Sequence, residues 1–71
     1  MEQNSNNSIS PKTRQEIAAE YKTTVKILNT QIEYYKLEIP EGILLFPKQQ
    51  KLIYEALGYS NGVNKEDYKN V

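Results

Sequence analysis

The sequence predicts a mainly α domain with a small β-hairpin, in the order helix, helix, hairpin, helix. Three local signals support this. Thr13 stands three residues before Glu16, ahead of an apolar stripe; Pro40, Glu41 and Gly42 separate two apolar runs; and Pro47 opens a periodic stretch that stops at Gly58. With 71 residues the chain can build one modest core.

Helix one has two competing starts: Ser10 followed by Pro11, or Thr13 with Glu16 as a reciprocal cap. The second is preferred. Ile17, Ala18 and Tyr21 then share a face, and the helix ends near Tyr21 or Lys22. Thr23 and Thr24 can each cap a second helix, whose inward stripe is Val25, Leu28, Ile32 and Tyr35, widened by Ile27 and Tyr34. Lys26, Asn29, Thr30 and Glu33 are left for the outside.

In LEIPEGILLF, Leu37 and Ile39 are expected to pair with some of Ile43, Leu44 and Leu45 across the Pro40–Gly42 turn. The unbroken apolarity of the second side leaves the register open. Helix three then runs from Pro47, buries Leu52, Ile53, Ala56 and Leu57, and stops at Gly58, with Tyr59 folding back on its last turn. Tyr21, Tyr35 and Tyr54 are assigned to the core, whereas Tyr34 and Tyr59 are more open to contact. Residues 1–9 read as a flexible polar lead, 10–59 as the folded domain and 60–71 as a polar tail.

Composition narrows the function. Cys and His are absent, which removes disulfides, thiolate and imidazole chemistry and nearly all zinc sites. With carboxylates scattered over mixed-sign surfaces, no catalytic constellation is legible, and Glu16 is explained as a cap. The expectation is a non-enzyme without metal, cofactor or small-molecule substrate. No apolar run has the length of a membrane span, so no membrane contact is expected and a cytoplasmic location is the default. Nine basic residues against nine acidic ones argue against strong phosphate binding.

The first two helices also fit a helix-turn-helix spacing. Ala18 is the small residue near the end of helix one, Lys22 lies in the turn four positions on, and Leu28 anchors helix two; Ile17, Tyr21 and Ile32 are apolar where that pattern requires it. Lys22 stands where glycine is common, at a cost of roughly 1 kcal/mol for a left-handed turn. Gln31 is polar at a position often apolar.

RQEIAAEYKTTVKILNTQI, followed by YKLEIPEGILLFPKQQKLIYEALG, resembles the small winged helix-turn-helix domains of the bacterial MerR and excisionase type, from Thr13 to Gly58. The resemblance implies double-stranded DNA as partner, with helix two in the major groove. Val25, Lys26, Asn29 and Thr30 would be base contacts, with Glu33 also facing the groove. Asn29 could pair with adenine, Lys26 with guanine or phosphate, and Val25 or Thr30 with a thymine methyl. Candidate phosphate contacts are Lys12, Arg14, Lys22, Lys36 and Lys48, with Lys48 at a helix amino end suited to anions. The role implied is a transcriptional regulator or an excisionase-like accessory factor.

The wing departs from that family: Ile43, Leu44 and Leu45 stand where arginines are common. An apolar wing suits a protein contact better than a phosphate contact. The alternative reading is therefore a protein-interaction module on the same fold, meeting itself as a homodimer or another protein partner through Tyr34, Ile43, Leu44, Leu45 and Tyr59.

Overall fold

Each helix begins where a side chain accepts from a free N–H of the first turn or where a proline has none to satisfy. In α1 (Arg14–Glu20) the Thr13 hydroxyl accepts from the Glu16 N–H at 3.0 Å, and the Glu16 carboxylate accepts from the Thr13 N–H at 2.7 Å. This reciprocal cap selects the Thr13 start over Ser10. Thr24 caps α2 (Val25–Tyr34) by accepting from the Ile27 N–H at 3.2 Å. Pro47 lies in the first turn of α3 (Pro47–Leu57), where Gln49 reaches back to accept from the Phe46 N–H at 3.2 Å. These contacts are those of a computed structural model that describes residues 9–71.

The first two helices end alike. Lys22 N–H donates to Ala19 C=O and Thr23 N–H to Ala18 C=O, both at 2.9 Å; Lys36 N–H donates to Glu33 C=O and Leu37 N–H to Ile32 C=O, both at 3.0 Å. This paired closure requires a left-handed residue, and Lys22 (φ 56°) and Lys36 (φ 55°) supply it without being glycine. Replacing either by glycine relieves roughly 1 kcal/mol of backbone strain, partly offset by the freer unfolded chain. Each of Lys22→Gly and Lys36→Gly is expected to gain up to about 0.5 kcal/mol, read as a rise of a few degrees in Tm. A fall in Tm for both would sink this account of the turns.

The sheet is antiparallel and has two short strands, β1 (Lys12–Thr13) and β2 (Leu44–Leu45), with Lys12 opposite Leu45 and Thr13 opposite Leu44. The strand pairing therefore corrects the expected hairpin. Leu37 and Ile39 do not pair with 43–45; they pack half-buried against the core. The reason lies at Thr13, because a capping residue is extended by necessity (φ −83°, ψ 160°) and so offers β2 a ready partner before α1 begins. Pro40, without an N–H, also removes a donor from the local pairing.

The core joins Ile17 and Ala18 of α1, Leu28 and Ile32 of α2, Leu45 of β2, Ile53 and Tyr54 of α3, and Tyr68. Tyr35 and Leu52, expected inside, are exposed, as are Ile27 and Tyr34. In α3 the buried stripe is rotated: Gln50, Ile53, Tyr54 and Leu57 face inward, leaving Leu52 outside. Gln50 is wholly buried, and its amide donates to Ser10 C=O at 2.9 Å and Leu45 C=O at 2.8 Å.

The segment expected as a polar tail is part of the fold. Asn64 accepts from the Glu66 N–H at 2.9 Å, opening a 3-10 turn at Lys65–Tyr68 that carries Tyr68 into the core. The Tyr68 hydroxyl donates to Gln50 Oε1 at 2.5 Å. Its ring packs 5.3 Å from that of Tyr54 and 5.9 Å from that of Tyr59. Of the expected lead, 1–9, all but Ile9 lies outside the described residues, and Ile9 packs against the core.

Candidate nucleic-acid interface

The tight corner at Lys22 sets α2 against α1 and leaves one side of α2 uncovered. Lys26, Thr30 and Glu33 lie on that side, joined by the exposed Ile27 and Tyr34. These positions fall within one arc of a 3.6-residue helix, opposite Leu28 and Ile32. The Thr30 hydroxyl donates to Lys26 C=O at 3.0 Å, so its hydrogen is engaged within the helix. Val25, a candidate base contact, is half-buried and packs against the core.

Asn29 is exposed, but its side chain is not free. Arg14 Nη1 donates to Asn29 Oδ1 at 2.9 Å, Nη2 to Pro40 C=O at 3.0 Å and Nε to Gly42 C=O at 3.3 Å. One guanidinium thus ties α1 to α2 and to the loop preceding β2. Arg14 was expected on phosphate; three fixed acceptors of its own chain now compete for it. Around it, a cleft of about 490 Å³ opens between α2 and that loop, with Lys36, Glu33 and Glu41 adding charges of both signs.

Lys12 is also engaged internally. Its ammonium donates to Glu20 Oε2 at 2.7 Å and to the Tyr54 hydroxyl at 2.9 Å, and sits 5.3 Å from the centre of the Tyr54 ring. The Tyr54 hydroxyl in turn donates to Glu20 Oε1 at 2.6 Å. A phosphate at Lys12 would have to break this closed triangle. Lys22, Lys36 and Lys48 are exposed, the first two flanking α2 at its ends.

Burial raises the Tyr54 hydroxyl well above the ordinary tyrosine range, reinforced by its bond to Glu20 and the charge of that carboxylate. Burial also pushes Tyr21 up to about 12, with Glu20 again adding to the shift. Its hydroxyl donates to Gly58 C=O. Both phenols are held neutral in the fold, so their stabilisation is complete below the unfolded value of about 10 and falls as pH rises through the folded values. The urea midpoint is expected to fall steadily between about pH 10 and pH 12, less steeply in Tyr54→Phe. An equal fall in both proteins would show that Tyr54 is not the group responsible.

The residues assigned to a protein interface divide. Leu45 is 1% exposed and belongs to the core, and Tyr59 is half-buried with its ring 5.3 Å from Tyr54. Ile43 (76%), Tyr34 (73%), Phe46 (54%) and Leu44 (50%) are open to solvent. Sequence reasoning missed the Arg14–Asn29 link and the Lys12–Glu20–Tyr54 triangle. Only the eight-residue separation of Lys12 and Glu20 could have hinted at the second, and it bridges a strand and a helix. Among the described residues, no helix is long and apolar enough to cross a membrane.

No protein-family model, curated protein or solved structure matches the chain.

Proposed function

We propose that this chain is a small winged helix-turn-helix protein that binds double-stranded DNA through α2, as a transcriptional regulator or an excisionase-like accessory factor of the type its sequence resembles. The observation that carries the reading is the uncovered side of α2. It offers Lys26, Thr30 and Glu33 to a groove, with the exposed Asn29 at the edge of that side and Lys22 and Lys36 exposed at its two ends to meet backbone phosphates. On this reading the short β2 and its preceding loop would serve as the wing.

With Lys12 and Arg14 engaged in their own chain, the available phosphate contacts are Lys22, Lys36 and Lys48. Binding to duplex is then expected to weaken with salt at a slope of log K on log salt of about −3 per copy. Lys26→Glu is expected to cost at least about tenfold in affinity at low salt, with an unchanged circular dichroism spectrum. A titration in which wild type and Lys26→Glu bind equally would remove α2 as the reading element.

A second reading rests on Ile43, Leu44, Phe46 and Tyr34, four large apolar side chains at least half exposed. It makes the same fold a protein-interaction module, in contact with itself or with another protein. Salt-independent self-association in sedimentation, without duplex binding, would favour it.

A further inference from the structure

The geometry assigns Asn29 a preference for guanine over adenine, imposed by Arg14; this rests on the reading of α2 as a DNA-contacting helix. An asparagine reads adenine by donating from Nδ2 to N7 while accepting from the N6 amino group at Oδ1. Here Oδ1 already accepts from Arg14 Nη1 at 2.9 Å. Arginine carries donors only, so the bond fixes which end of the amide faces it. The oxygen is turned to the guanidinium, and the NH₂ group is the end left for a partner.

Two effects then act together. The adenine amino hydrogen would have to share an oxygen that is turned to the guanidinium and already accepts one bond from it, beside a full positive charge that repels that hydrogen. Guanine presents two adjacent acceptors, N7 and O6, which suit the amide donor and are attracted by that same charge. Arg14 is itself held by Pro40 and Gly42 carbonyls at 3.0 and 3.3 Å, which limits its retreat from Asn29. Its role is that of a positioning residue acting through Asn29, and the loop before β2 supports it.

The test is selection from a randomised duplex library at low salt with wild type, Asn29→Ala and Arg14→Ala, each checked for fold by circular dichroism. Expected is an enriched motif with one position that loses its preference in Asn29→Ala, where wild type selects guanine over adenine by about tenfold. In Arg14→Ala, which removes that charge and the bond that orients the amide, the ratio should fall toward unity or reverse. If Arg14→Ala does not fold, the wild-type and Asn29→Ala motifs decide. Adenine at the Asn29-dependent position, or no such position within an enriched motif, overturns the inference and leaves DNA binding standing. Enrichment of no duplex by wild type overturns the reading of α2 and this inference with it.

Discussion

Tyr68→Ala is expected to lower the unfolding free energy by about 3–5 kcal/mol, the usual cost of removing a buried aromatic ring. Tyr68 is 3% exposed, and its ring meets Tyr54 and Tyr59. The substitution also deprives Gln50 Oε1 of its donor in a wholly buried setting. Small domains have little stability to lose, so much of this variant should be unfolded at room temperature. Urea denaturation followed by circular dichroism measures the effect. Tyr68→Phe, which keeps the ring, should lose only about 1–3 kcal/mol. A loss below about 1 kcal/mol in Tyr68→Ala would show that the segment after Tyr59 contributes nothing to the core.

Gln50→Glu, which preserves shape, is expected to cost several kcal/mol at pH 7. The Gln50 amide donates to two carbonyl oxygens, Ser10 at 2.9 Å and Leu45 at 2.8 Å. A carboxylate there would set negative charge against both and would be buried without a cation. The introduced acid would therefore have a folded pKa raised above its unfolded value of about 4.3. Its stabilising contribution is then complete below that value and lost as pH rises through the folded one. The variant should recover stability relative to wild type as pH falls from 7 to 4. A difference between the two proteins that does not change over that range would show that the side chain reaches solvent.

The helices were legible because their signals are local. Thr13 with Glu16, Thr24, Pro47 and Gly58 each act within one turn, and each does in the structure what its chemistry requires. The strand partner was not legible, since Leu44 and Leu45 could satisfy any extended segment and the one chosen lies before α1. Gln50 and Tyr68 were missed for a related reason. Polarity marks a residue as external unless its partners are known, and the partners of Gln50 are in three other segments. At the candidate interface, Lys26 and Thr30 are exposed as the helical period requires. The engagement of Lys12 and Arg14 depended on side chains meeting across elements, which spacing does not encode.

The pairing of β1 with β2 also sets an order of events. Lys12 and Leu45 are joined across about thirty residues, a closure that costs roughly 3 kcal/mol of chain entropy, whereas α1 and α2 meet through a four-residue turn. The helical corner can form within microseconds from local contacts, and the strand pair must wait for the loop to close. With two residues per strand, the pair is held chiefly by Leu45 entering a core that the helices have already outlined. The clasp is thus expected to assemble after the helical corner and to open before it. Amide hydrogens of β1 and β2 should exchange through a partial opening in which the corner of α1 and α2 stays intact.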